Sequence, residues 1–179
     1  MTTHTLNAAV WLPVGRDEVF SFFADAFNLE AITPQWLKFS VLTPGPIAMR
    51  AGTVIDYRLQ VHGLRLRWQS EITVWDPPFR FVDEQRQGPY RCWIHTHSFE
   101  EMDGGTLCRD EVHYVVPGGR FINWLFVRRD VERIFACRED LVRRRFSTVP
   151  APQPRPIAAP LPPVPPARNS PHPANSFLG

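Results

Sequence analysis

No apolar run in this chain approaches the roughly 20 residues that a membrane-spanning helix needs, so no membrane span is expected. Cysteine is scarce. Cys92, Cys108 and Cys137 are odd in number and show no CxxC spacing, which argues against a disulfide framework and against a zinc site. The chain has no GxSxG elbow, no P-loop and no GxGxxG fingerprint, so three common catalytic and nucleotide-binding designs lack their motifs. Lysine is nearly missing, since Lys38 is the only one. Arginine carries the basic charge, yet the net charge is only +2, too balanced to argue for a nucleic-acid partner. The cluster Arg143 to Arg145 is accounted for more simply as the basic end of a helix, where it offsets the dipole. Met1 to Asn7 lacks the basic and apolar regions of a signal peptide, and a cytoplasmic, reducing location is the expectation.

What remains fits a globular chain. Hydrophobic residues make up 44% and aromatics 12% of 179 residues, enough for one domain with a sizeable core. Proline is unevenly spread and recurs every few residues from Pro150 to Pro173. Such a stretch cannot donate the backbone hydrogen bonds a core needs. The reading is therefore one domain over residues 1–148 and a proline-rich, disordered tail over 149–179. Leu161 to Pro166 contains a PxxP match, so a proline-recognising domain is a candidate partner. A solvated low-complexity tail is the preferred reading.

Ala8 to Leu12 reads as a first strand. Asp17 and Glu18 suit a first helical turn, and Val19, Phe20, Phe22, Phe23, Ala26 and Phe27 give Arg16 to Phe27 a core-facing helical stripe. Asn28 can cap a second short helix through Ile32. A series of hairpins follows. Ile55, Tyr57, Leu59 and Val61 alternate with polar residues, as do Leu64, Leu66, Trp68, Ile72 and Val74. A two-residue turn at His62-Gly63 pairs Val61 with Leu64, Leu59 with Leu66 and Tyr57 with Trp68. Arg80 to Arg86 and Arg91 to Glu100 are strands, and Thr106 to Pro117 is the last. Asp103-Gly104 signals a type I′ turn. Closing the hairpin there pairs Phe99 with Cys108, His97 with Asp110, His95 with Val112 and Trp93 with Tyr114. If three residues form the loop at Gln87 to Pro89, Asp83 shares a face with Phe81, Trp93 and His95. A one-residue change in that loop turns Asp83 outward.

The chain then reads as one long helix from Arg120 to Phe146. At 100° per residue, Trp124, Val127, Val131, Ile134, Phe135 and Val142 share a face. Arg138 sits inside that stripe, where an unpaired guanidinium is unfavourable. The fold class is α+β: a curved antiparallel sheet wrapped around a long C-terminal helix, with two short helices after the first strand. The space between sheet and helix is where a ligand can go.

The residues that carry a family likeness are Pro34-Gln-Trp36-Leu37, Trp68 to Phe81 with its Trp75-Asp-Pro-Pro, Trp93-Ile-His95-Thr-His97-Ser-Phe99, Gly104-Gly-Thr106, Tyr114-Val-Val-Pro117, and the helix with Phe135 and Arg138. With this order of elements they resemble the SRPBCC superfamily, the START-like helix-grip proteins, in a bacterial branch of unassigned ligand. The resemblance covers about Asn7 to Phe146. It implies a hydrophobic cavity that binds or transports lipids, isoprenoids or aromatic molecules. A minority of the superfamily are cyclases, dehydratases or hydrolases. The superfamily has no universal catalytic residue, so none is carried over.

His95 and His97 lie two residues apart on a strand and point the same way. With Asp110 they could form an oriented acid–base pair, with His97 and Asp110 as the catalytic candidates. They could also touch a ligand, or hydrogen-bond each other within a cavity wall, which is the preferred reading. Metal binding is least supported, and no metal or cofactor is expected. Arg138 could grip a ligand's carboxylate or phosphate. Pairing with Asp83, Asp110 or Glu84 is the favoured alternative. Tyr57 and Trp68 could line the cavity or form a cross-strand core pair. The candidate ligand-binding set is Tyr57, Trp68, Phe81, Asp83, Trp93, His95, His97, Asp110, Tyr114 and Arg138. The expected function is binding, or transport, of a hydrophobic or amphiphilic small molecule. The alternative is a cyclase or dehydratase using the His–Asp pair.

Overall fold

The computed structural model describes residues 2–147; the proline-rich tail and its PxxP match lie outside the described residues. Strand β1 (His4–Leu12) is followed by α1 (Arg16–Phe23) and α2 (Asn28–Ala31). A single 3-10 turn at Gln35–Leu37 leads to β2 (Ser40–Val41), and then come β3 (Val54–Val61), β4 (Leu64–Asp76), β5 (Arg80–Gln87), β6 (Cys92–Met102) and β7 (Gly105–Val115). All seven strands form one antiparallel sheet in the order β1-β7-β6-β5-β4-β3-β2. The described residues close with α3 (Gly119–Ile122), a π-helical turn (Asn123–Val127) and α4 (Arg128–Ser147).

Two hairpins take the registers their turns dictate. His62 and Gly63 have φ of 48° and 84°, and Asp103 and Gly104 have 50° and 74°. Paired positive φ values define the type I′ turn, whose twist matches that of the flanking strands. Val61 pairs with Leu64 and Tyr57 with Trp68; His97 pairs with Asp110 and Trp93 with Tyr114. Bulges between β4 and β5 at Gln69/Ser70 and Ile72/Val74 bend the sheet. The concave face packs on α1 and α4 around Val10, Leu12, Phe20, Phe81, Phe99, Val142 and Phe146. Phe20 meets Phe81 and Phe99 edge-on, with ring centroids at 6.2 and 5.5 Å.

Five expectations need correction. The first helix stops at Phe23 rather than Phe27, and Asn28 opens α2 without capping it. Its side-chain Nδ2 instead donates to the Phe22 carbonyl at 2.9 Å, which closes off α1. The β5–β6 connection is longer than three residues. Asp83 pairs with His95, whereas a loop of Gln87 to Pro89 alone would place it opposite Trp93. The Gln85 side chain explains the change: its Nε2 donates to the Tyr90 carbonyl at 2.7 Å and its Oε1 accepts from the Tyr90 N–H at 3.3 Å. The side chain thus does the work of a strand partner and pairing halts at Glu84–Ile94. The shift is two residues, so Asp83 keeps its face.

The other two corrections concern the C-terminal helix. It is not one uninterrupted α-helix. The wider π turn slips the helical phase by about one residue, so Trp124 leaves the buried stripe and is 66% exposed, while Asn123 is buried in its place. Downstream, Val131, Phe135, Val142 and Phe146 face the sheet, and the i,i+4 pairs Arg128–Glu132 and Arg143–Glu139 decorate the outer side. This phase makes a prediction. Trp124→Ser changes the unfolding free energy by less than about 0.5 kcal/mol, as exposed sites do. Phe135→Ala lowers it by about 3 kcal/mol, as buried aromatics do. Urea denaturation measures both, and the reverse order contradicts the π-turn phase.

Candidate functional site

Between the concave face and α4 lies a cavity of about 200 Å³. Leu59, Val61 and Leu66 from the first hairpin and Ile134 from α4 make its aliphatic side. Trp68, Tyr90 and Trp93 form an aromatic corner, with Trp93 edge-on to Trp68 at 5.3 Å. The polar end is built from β4, β5, β6 and α4, which contribute Ser70, Asp83, His95, His97 and Arg138.

The strand period explains the polar end. His95 and His97 project from the same face of β6, with ring centroids 3.7 Å apart. The neighbouring strands deliver one carboxylate on each side, Asp83 from β5 and Asp110 from β7. His95 Nε2 lies 2.9 Å from Asp110 Oδ1, and His97 Nε2 lies 3.2 Å from Asp83 Oδ2. The remaining nitrogens close the box: His95 Nδ1 is 3.5 Å from Asp83 Oδ2 and His97 Nδ1 is 2.8 Å from Asp110 Oδ1. The last pairing is too oblique for a hydrogen bond and acts through charge. The Ser70 hydroxyl donates to Asp83 Oδ1 at 3.3 Å and accepts from the Trp68 indole N–H at 3.0 Å.

These contacts set the charges. Burial pushes both carboxyl pKa values up, but hydrogen bonds from the imidazoles and the nearby positive charges outweigh it. Asp83 ends below the ordinary carboxylate value and Asp110 well below it. Both therefore accept hydrogen bonds as anions. Burial also pulls both imidazoles down. For His97 the hydrogen bond to Asp83 and the charges of Asp110 and Asp83 win, and its pKa rises. For His95 burial and the charge of His97 win, and its pKa falls. Of the two imidazoles, His97 is therefore the one that holds its added proton more tightly, between two ionised carboxylates.

Eight of the ten ligand-binding candidates line this cavity: Tyr57, Trp68, Phe81, Asp83, Trp93, His95, His97 and Arg138. Asp110 lines a smaller adjoining space with Arg138 and Phe135. Tyr114 stands off the wall and packs against Trp93, with ring centroids 5.8 Å apart. The expected ion pair of Arg138 with Asp83, Asp110 or Glu84 does not form. Nε and Nη2 of Arg138 are buried with no hydrogen-bond partner among the described residues. The reason is competition: Asp83 and Asp110 bind the imidazoles, and Glu84 pairs with Arg86 at 3.1 Å. Ser70 escaped the candidate set. Its signal was its parity, because it occupies the slot between Trp68 and Ile72 on the apolar face of β4, where a lone hydroxyl needs a buried partner. Asp83, His95 and His97 bring one ligand atom each within 4.8 Å of one another, a set that could hold a metal ion. The Arg138 charge, which acts on Asp83 through space, works against a cation there.

The profile of the family described as polyketide cyclase / dehydrase and lipid transport matches residues 12–140. The chain belongs to this family. Solved structures agree on the fold. An aromatase/cyclase, Zhui, from Streptomyces sp. R1128 is 17% identical with a TM-score of 0.65, covering 82% of this chain and 94% of that one. The major latex-like protein 151 of Panax ginseng is 11% identical with a TM-score of 0.62, covering 80% and 97%. Protein Ms6760 of Mycobacterium smegmatis is 18% identical with a TM-score of 0.61, covering 80% and 90%. No curated protein matches the chain. Among the described residues no helix is long and apolar enough to cross a membrane.

The charge assignment predicts a pH dependence. A raised His97 pKa contributes stability that is complete below the unfolded value of about 6.5 and is lost as pH rises through the raised value. The lowered carboxylates contribute above their unfolded value of about 3.9 and lose that contribution as pH falls through their folded values. Lowered His95 subtracts stability below about 6.5, where the unfolded chain takes up a proton that the fold refuses. As pH rises from about 6.5 toward the raised His97 value, the opposing His95 contribution fades and the His97 effect dominates. Thermal melts should show Tm falling across that window in the wild type and a shallower slope in Asp110→Asn. Equal slopes contradict the assignment.

Proposed function

We propose that this protein binds a hydrophobic or amphiphilic small molecule in the cavity between the sheet and α4, and that its working compartment is the cytoplasm. The observation that carries the reading is the composition of the wall. Aliphatic and aromatic side chains surround one polar end, the usual division of labour between affinity and orientation in a small-molecule pocket. The family description, with its lipid transport, supports binding or carriage of such a molecule. Three free thiols, on Cys92, Cys108 and Cys137, fit a reducing compartment.

A cyclase- or dehydratase-type reaction is the second reading. The observation in its favour is that His97, the more basic of the two imidazoles, lies on the cavity wall. Against it, both imidazoles are engaged by carboxylates, and Asp110 faces the adjoining space rather than the main cavity. Binding is therefore the stronger reading. His97→Ala and Asp110→Asn separate the two: a binder loses affinity by modest factors, whereas an enzyme loses turnover while keeping affinity.

Native mass spectrometry of protein purified from its own host should reveal a co-purifying small molecule. Leu59→Trp, which fills the aliphatic side, should remove it while leaving a cooperative melt. Absence of any adduct, together with no saturable binding of a hydrophobic fluorescent probe, contradicts the binding reading.

A further inference from the structure

The cavity reading above leaves open what chemical group sits at the polar end. Arg138 is the only lysine or arginine among the described residues that line the cavity. Its Nε and Nη2 are buried with no hydrogen-bond partner among the described residues. The hydrogen bonds of the nearby carboxylates go to other donors. Asp83 accepts from His97 and Ser70, Asp110 accepts from His95, and Glu139, on the same helix, accepts from Arg143 at 2.7 Å. The rings of Phe23 and Phe135 each lie 5.9 Å from the guanidinium carbon. They hold the cation through their faces but supply no acceptor. A guanidinium with two buried, unpartnered nitrogens is chemically incomplete, because each buried N–H without an acceptor is unfavourable.

We infer that Arg138 anchors the carboxylate of a hydrophobic monocarboxylic acid, whose apolar body lies along Leu59, Leu66, Trp68 and Trp93. The fork of N–H donors matches a carboxylate in plane and spacing. A single negative charge is selected over a phosphate dianion. The acidic cluster acts on Arg138 through space, so a second negative charge beside two ionised carboxylates is repelled. His95 and His97 do not compete for the acid, since their N–H groups already face Asp110 and Asp83. The cluster instead fixes the wall against which Arg138 is presented.

The test is calorimetric titration of the full chain near neutral pH with two matched pairs, decanoate against decanol and 2-naphthoate against 2-naphthamide. The two pairs distinguish an aliphatic from an aromatic body. In the wild type the acid of at least one pair should bind about tenfold or more tighter than its neutral partner. Arg138→Gln should erase that preference and leave the neutral partner's affinity within about threefold. No acid preference in the wild type, or a preference that survives in Arg138→Gln, overturns the inference. If neutral partners bind and acids bind no tighter, only this inference falls. If nothing binds, the cavity reading falls with it. Should Arg138→Gln fail to melt cooperatively, Arg138→Lys decides. Acid binding weakened by about threefold or more with neutral binding unchanged supports the fork, and unchanged acid binding overturns it.

Discussion

The Asp103–Gly104 turn admits one register between β6 and β7, and the chemistry of the cavity wall depends on that register. With two residues at positive φ, the strands must pair Met102 with Gly105 and so, five steps on, His97 with Asp110. A slip of one residue would turn His95, His97, Phe99 and Trp93 to the opposite face together. The same turn therefore places the aromatic core and the imidazole pair at once. β5 then needs only the right parity to bring Asp83 to the other side of the box.

The box itself is a matter of charge balance. Two carboxylates, one of them well below its ordinary pKa, are tolerable among apolar walls because two imidazoles and a guanidinium stand within reach. The carboxylates bond to the imidazoles rather than to Arg138. That choice makes the imidazoles structural members of the wall and leaves Arg138, which lines the cavity, with donors unpaired. The polar end is thus divided into a closed part, which holds its shape, and an open part, which can hold a guest.

Much of this was legible in the sequence. Alternation over β3 and β4 agreed with a two-residue turn at His62-Gly63, and Asp103-Gly104 indicated the β6–β7 register even though Ile94 and Leu107 blurred the faces of that hairpin. Arg138 announced itself as a charge in an apolar stripe. Its lack of an ionic partner did not, because that depends on which donors the carboxylates choose in three dimensions. Two elements misled for local reasons. The π turn at Asn123–Val127 carries no period of its own, so a uniform helix put Trp124 inside. The β5–β6 register is set by the side chain of Gln85 rather than by backbone turn residues, and no pattern of apolar residues records it. Ser70 was visible by parity and passed over because it is neither charged nor aromatic.

Binding as proposed requires that the guest enter the space between the sheet and α4 rather than settle on the exposed aromatic surface around Trp124. Six tryptophans report on this from different places. Trp68 and Trp93 line the cavity, whereas Trp36 and Trp124 are exposed. Indole N–H resonances in a two-dimensional NMR titration with 2-naphthoate would locate it. Shifts concentrated at Trp68 and Trp93, with Trp36 and Trp124 unmoved, are the predicted result; shifts led by Trp124 or Trp36 would contradict it.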